Sequence, residues 1–495
     1  MWCECAIAYL WQTPFRWSGR KACRMLVKFL RFLPKECFED LEDIVDMHPP
    51  LESEQSIFNY LNFVRTIKVL DCIHATEYYF SHYLEKEDTH SSTIAPLLLL
   101  RLCQGIVTNC PLLAEIDVTG LDRAPSYDAY SWPATSWNLF KGNLDRLRRL
   151  KFSQKFHPDI LHSAAATVTN LESFEFECTW ESAYVDGTVW CDAISNFISK
   201  QRGLKVARLK LELQNYEMSL QPVWKALCTQ AKTLREIKIL FDMQDRDAHD
   251  LLEFLGHCTN LHHVEMFCCE LCVQSPMKLQ STMFSNLRVL KLEELETNTY
   301  GIGALFRNVK ECLDTLSVKR IQNVAELWNN VELWTICATN TPYLTNLEIQ
   351  LSLNVYIQLI QSVLPLWQHL RRLSIAIRGA KKHYELIPKI LLLLGQNLPK
   401  SVKSLVLENS YQLSLDMFVN FLSSCLVDIE SISITNNAFD DDFAKALLKY
   451  VGHSLKSVFL HGQVTLSPEM KTELCSQISE VTIHHYGFSE CLKVS

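Results

Sequence analysis

The feature that most constrains this chain is a recurring apolar triplet with the spacing L-x-x-L-x-L, clear at Leu287, Leu290 and Leu292. One copy says little, but the triplet returns every few dozen residues from Leu113 to Ile478. The two-residue step puts the later anchors on one side of an extended strand, and the three-residue step fits a turn leading into it. A unit of this kind cannot bury its own apolar edge, so neighbouring units must stack.

Reading forward, the anchors are Leu113, Ile116, Val118; Leu147, Leu150, Phe152; Leu171, Phe174, Phe176; Val206, Leu209, Leu211; Leu234, Ile237, Ile239; and Leu261, Val264, Met266. Eight more sets follow, ending at Ile478, Val481, Ile483, which makes fourteen. The mean step of about 28 residues lies at the long end of the leucine-rich repeat range and leaves room for true helices between strands. Apolar residues at helical spacing in Cys191–Lys200, Asp247–Leu255, Val355–Leu364, Met417–Leu422 and Asp442–Tyr450 suit that role. The expected fold is an α/β leucine-rich repeat solenoid, a right-handed horseshoe with strands inside, helices outside and a small helical N-terminal cap. The repeat's polar Asn or Cys is kept in only some units, at Cys269 and Asn437 for example.

Composition narrows the class further. A net charge of -8 makes nucleic acid a poor partner. The 14 glycines and 16 prolines are too few for a long flexible linker. Nineteen scattered cysteines, an odd number, point to reduced thiols in the cytosol or nucleus rather than a disulfide framework. The runs Ile94–Leu100 and Ile390–Leu394 are too short to span a bilayer, and the N-terminus lacks the pattern of a secretory signal, so no membrane partner is expected.

Upstream of the array, Trp2, Cys5, Ala6, Tyr9 and Leu10 share one helical face, ended by Pro14. Amphipathic segments follow at Cys23–Leu33 and Phe38–Val45. Ile67, Val69 and Leu70 suggest an incomplete opening repeat, and the polar run Glu85–Thr93 a loop before a buried helix.

The string W-C-x-x-A-x-x-x-L-W-x-x-P-F, carried by Trp2, Cys3, Ala6, Leu10, Trp11, Pro14 and Phe15, resembles the end of the F-box in the large fungal family of F-box-like leucine-rich repeat proteins. Pro49 and Pro50 followed by Phe58, Asn59 and Tyr60 resemble that family's lead-in to the first repeats. The family's opening F-box helices would lie before Trp2, so the adaptor-binding half is expected to be missing here. The resemblance implies residues 1–48 as a remnant F-box-like segment, 49–110 as a helical lead-in with irregular first repeats, and 111–495 as the array. It also implies a substrate receptor that delivers targets to an SCF-type ubiquitin ligase for degradation, acting as a monomer within a hetero-complex. Trp2, Leu10, Trp11, Pro14 and Phe15 would face a Skp-type adaptor and its cullin. The alternative is a free-standing scaffold or inhibitor without ligase association.

No G-x-S-x-G, H-E-x-x-H or phosphate-loop motif occurs, so no catalytic residue and no cofactor is expected. The cluster His257, Cys258, His262, His263, Cys268, Cys269 and Cys272 has zinc-ligand chemistry. Its spacing is largely explained by the repeat itself, with Cys269 on the polar rung. Asp440, Asp441 and Asp442 read as a helix cap rather than a cation site.

Residues between the anchors should form a ladder on the concave face and bind a protein target. Early and middle repeats place Glu115, Asp117, Arg149, Lys151, Glu175, Arg208, Lys210, Glu236, Lys238, Glu265, Lys291 and Glu293 there. Late repeats place Ser404, Ser431, Ser433, Thr435, Ser457 and Thr482 with Phe459, His461 and His484. The insertion Leu121–Asn143 adds Tyr127, Tyr130, Trp132 and Trp137 as candidate recognition aromatics.

Overall fold

The computed structural model describes residues 9–17, 19–34, 36, 37, 41, 60–83, 91–119, 144–154, 157–178, 187–211, 219–243, 248–271, 284–320, 331–350, 353–377, 385–409, 413–485 and 488–493. The chain divides into two compact units, Met1–Met243 and Gln244–Ser495.

In the first unit the strands are β1 (Thr66–Lys68), β2 (Glu115–Asp117), β3 (Arg149–Ser153), β4 (Ser173–Cys178), β5 (Val206–Leu211) and β6 (Glu236–Met243), each pairing in parallel with the next. Helices Pro158–Thr167, Gly187–Ser199 and Gln221–Cys228 return the chain between β3 and β6. Anchors stand opposite anchors along the sheet: Ile67, Ile116, Leu150, Phe174, Ala207 and Ile237 form one buried row. Their burial against the returning helices is the main source of stability, at about 25 cal/mol per Å² of apolar surface removed from water.

One expected triplet sits two residues away from its true place. β5 pairs so that Ala207 faces Phe174 and Ile237, which makes Leu204, Ala207 and Leu209 the working set instead of Val206, Leu209 and Leu211. Val206 is half-exposed. The small Ala207 side chain stands next to the bulky Phe174, which packs on Phe197 with ring centroids 4.9 Å apart. Leu211 remains buried as the next inward position.

A second row, of backbone carbonyls, fixes this register. Each accepts two successive N–H groups from the following repeat: the Arg65 carbonyl from Ala114 and Glu115, the Ala114 carbonyl from Arg148 and Arg149, the Arg148 carbonyl from Glu172 and Ser173. The row begins upstream of β1, where the Gln12 carbonyl accepts from Arg65 and Thr66, both at 3.0 Å. Trp11 and Pro14 flank Gln12 at the offsets that Val64 and Ile67 keep from Arg65, and all four are buried. The N-terminal string therefore supplies a degenerate first rung, with Trp and Pro in the anchor places.

Trp11 lies 5.2 Å from Phe29 and 4.4 Å from Tyr60, ring to ring, and Phe15 lies 5.0 Å from Phe29. Phe29 belongs to helix Arg20–Phe32, which buries Ala22, Cys23, Leu26, Phe29 and Leu30, as the Cys23–Leu33 pattern anticipates. Helices Val69–Tyr83 and Ser91–Asn109 complete this end, the second being the expected buried lead-in. Residues 1–8 and most of Phe38–Val45 lie outside the described residues.

The second unit repeats the scheme. β7 (His263–Leu271), β8 (Val289–Glu293), β10 (Thr315–Lys319), β11 (Asn346–Ile349), β12 (Arg372–Ile377), β13 (Ser404–Asn409), β14 (Ser431–Phe439), β15 (Ser457–Val464) and β16 (Glu480–His485) run parallel in that order. The short β9 (Glu296–Thr297) pairs with the end of β7. The last strand, β17 (Phe488–Lys493), runs antiparallel to β16. Helices Ala248–His257, Leu415–Ser424 and Asp441–Val451 stand where helical spacing places them. Leu353–Gln358 begins as an α-helix, passes through a π turn at Leu359–Val363 and tightens to a 3₁₀ turn at Leu364–Leu366, next to Pro365.

Together these features make the chain an α/β leucine-rich repeat solenoid in each unit. Buried polar side chains brace the stack at places the anchor pattern does not announce. Gln201 Nε2 donates to the Val168 and Phe197 carbonyls while its Oε1 accepts from Leu171 N. Gln230, one repeat later, donates to the Ile198 and Gln201 carbonyls and accepts from Leu204 N.

Candidate functional site

One side of each sheet is buried under the helices; the other carries the residues between the anchors, most of them half-buried to exposed, with Asp117, Ser317 and Ser374 buried. In β4 and β5 the burial pattern alternates strictly between intermediate and buried. The first unit's open face alternates charge from strand to strand: Glu115 and Asp117 on β2, Arg149 and Lys151 on β3, Glu175 and Glu177 on β4, Arg208 and Lys210 on β5.

Neighbours pair across the strands. Glu115 and Arg149 are 3.3 Å apart, Asp117 and Lys151 3.5 Å, Lys151 and Glu175 3.9 Å, Glu175 and Arg208 3.6 Å, Glu177 and Lys210 2.8 Å. Arg208 donates through Nε and Nη2 to one Glu236 oxygen at 2.9 and 2.7 Å, and this hydrogen bond holds its guanidinium above the usual arginine range. Lys238 takes its place in the row beside Arg208. The expected ladder is thus assembled, and its members neutralise one another. Each exposed pair contributes only about 0–1 kcal/mol, so a partner could exchange them at small cost.

In the second unit Glu265 accepts from Lys291 at 2.7 Å and lies 2.8 Å from His263 Nε2. Glu348 accepts from Ser317 at 2.8 Å and pairs with Lys319 at 3.1 Å. Burial acts to raise the Glu348 pKa, but those two contacts outweigh it and hold the carboxyl below the usual glutamate range. Glu293 stands opposite Phe267 and Lys319. Beyond β12 the charges give way to Ser404, Ser431, Ser433, Thr435, Ser457 and Thr482, with Ser457 Oγ donating to Ser431 Oγ at 2.8 Å. Phe459 lies 4.8 Å from the His484 ring, and His461 6.1 Å from it.

Sequence spacing did not single out the column where strands end. Cys268, Glu294 and Arg320 hold equivalent places in successive repeats, and all three adopt left-handed backbone, with φ of 54°, 53° and 50°. Such conformations are uncommon for residues other than glycine. Their side chains join, the Cys268 thiol donating to Glu294 at 3.2 Å and Arg320 pairing with the same carboxylate. The only signal in the sequence was their equal offset from the anchors. Glu177, Ser317, Lys319 and Glu348 were also missed, although strand alternation would have found them.

The cysteine and histidine cluster is dispersed. Cys258 Sγ donates to the Phe254 carbonyl, Cys269 Sγ to the Phe267 carbonyl, and His263 engages Glu265. Cys272 lies outside the described residues. Among the described residues, the one group of three ligand atoms lying close together is His249, Asp250 and Glu253, on helix Ala248–His257 and largely exposed, and of the cluster only His257 shares that helix. Asp440 caps its helix, its Oδ1 accepting from Asp442 N and Phe443 N. Trp11, Pro14 and Phe15 are buried in the cap, Leu10 is 44% exposed, and Trp2 lies outside the described residues with Tyr127, Tyr130, Trp132 and Trp137. No helix among the described residues is long and apolar enough to cross a membrane.

No protein-family model matches the chain, and no curated protein matches it. Among solved structures it is similar to the yeast Rad7 and Elc1 complex, at 12% identity over 74% of this chain and 81% of that one, with a TM-score of 0.35. A leucine-rich repeat protein from Leptospira interrogans matches at 12% identity over 85% and 90%, with a TM-score of 0.34. The leucine-rich repeat-containing protein LegL7 from Legionella pneumophila matches at 10% over 72% and 90%, with a TM-score of 0.28.

Proposed function

We propose that this chain is a non-catalytic protein-recognition module whose open sheet face binds a protein target. The observation that carries this reading is a row of polar side chains in register from strand to strand: Asp117, Lys151, Glu175, Arg208 and Lys238 in the first unit, and Arg372, Ser404, Ser431, Ser457 and Glu480 in the second. A row of this kind matches an extended partner surface.

The finer proposal is a substrate receptor of an SCF-type ubiquitin ligase, working in the cytoplasm or nucleus as a monomer within the hetero-complex. Its support is the resemblance at Trp2–Phe15. Because Trp11 and Phe15 pack inward, Leu10 is the described residue of that string best placed to meet a Skp-type adaptor. Co-purification with adaptor and cullin, lost in a folded Leu10→Asp variant, is the expected result. Target binding that persists with no adaptor bound to the full-length protein would favour a free-standing scaffold instead.

A further inference from the structure

The exposed side of helix Arg20–Phe32 is cationic in a chain of net charge -8. At 3.6 residues per turn, Arg20, Arg24, Lys28, Arg31 and Lys21 fall within about 100° of arc, opposite the buried Leu26 and Leu30. Arg20, Lys21, Arg24 and Lys28 are exposed and have no ion-pair partner among the described residues. This contrasts with the sheet face, where charges are paired.

Beside the helix start stand Tyr9, 63% exposed, and Trp17, 37%. The Arg16 guanidinium lies 4.8 Å from the Tyr9 ring centre and 4.7 Å from that of Trp17, and Lys21 Nζ lies 5.3 Å from the Trp17 ring. The patch therefore combines Arg, Trp and Tyr, the residue types enriched at the energetic centres of protein interfaces.

We propose that this ridge is a second docking surface, for an acidic helical segment of a protein partner. Arg20, Arg24 and Lys28 rise about 6 Å per step, which matches carboxylates at i, i+4 and i+8 on a helix laid alongside. The arginine forks suit bidentate capture of carboxylates. The observations favour protein over the other polyanions. The helix's apolar face is committed to the cap and cannot enter a bilayer, and the Trp17 ring already carries two cations where a base would stack. The proposal does not depend on the ligase reading.

The test uses the full-length protein and a labelled alanine-based helical peptide with glutamates at i, i+4, i+8 and i+12. Controls are a scrambled peptide of equal composition, phosphatidylserine vesicles and a single-stranded oligonucleotide. The ordered peptide should bind at least about tenfold tighter than the scrambled one. R20E combined with R24E, both at exposed positions, should weaken it by at least about tenfold. R20K with R24K, which keeps the charge and removes the forks, should weaken it by several-fold. Equal binding of both peptides, indifference to charge reversal, or preference for vesicles or oligonucleotide would each overturn the proposal. Circular dichroism of the variants confirms that a loss of binding is not a loss of fold.

Discussion

Gln230 joins two repeats through one buried amide, donating to the Ile198 and Gln201 carbonyls and accepting from Leu204 N. Gln230→Leu keeps the bulk but strips the Gln201 carbonyl and the Leu204 N–H of this partner, while the Ile198 carbonyl keeps the Gln201 N–H. The expected cost is about 3 kcal/mol, measured by denaturant unfolding. No periodicity betrays such a residue, because a buried amide is recognised only by the carbonyls that surround it. The anchors were legible for the opposite reason, since burial alone selects them. Where an anchor is small, as at Ala207, bulkier neighbours two residues away imitate the pattern, and only backbone pairing tells the two apart. Gly462 is another residue whose role only the fold reveals: with φ of 151° its missing Cβ would lie 2.1 Å from the Asn437 carbonyl oxygen. There the bulge between Thr435 and Asn437 brings the two backbones together.

Helix Asp441–Val451 is tied to the next helix by a chain of caps. Asp440 caps the first; Asp441 Oδ1 accepts from Ser467 N at 2.8 Å, and Ser467 Oγ in turn accepts from Met470 N at the start of Pro468–Gln477. Asp440→Ala should destabilise the protein by about 1 kcal/mol in a thermal melt. The Ser467 backbone N–H holds the Asp441 carboxyl below the usual aspartate range. A carboxyl depressed on folding adds stability above its unfolded value and loses it as pH falls through its folded value. The stability gap between wild type and Asp441→Asn should therefore hold from pH 7 down to the unfolded aspartate value of about 4 and narrow as pH falls further, in urea titrations at each pH. The cap was legible as a run of three aspartates before an apolar helix. That its second carboxylate reaches the next repeat was not, because the link spans a residue separation of 26.

The open faces show charge used in two ways, paired along the sheet and unpaired on the cap. Lys291→Glu would set two carboxylates side by side at Glu265 while leaving the core untouched. Stability should change by no more than about 1 kcal/mol, whereas affinity for a target that uses this face should fall several-fold, read by titration calorimetry. Alternating sign was visible in the sequence, but its consequence, a face with little net field, needed the measured pairings. The closing strand β17 bears on how copies of the molecule meet. A parallel sheet presents at its last strand a template for another parallel strand, and a stack of identical repeats invites end-on polymerisation. By reversing direction against β16, β17 occupies that template with a strand of opposite polarity. A second copy arriving head to tail at β16 meets this reversed strand in place of an open parallel edge.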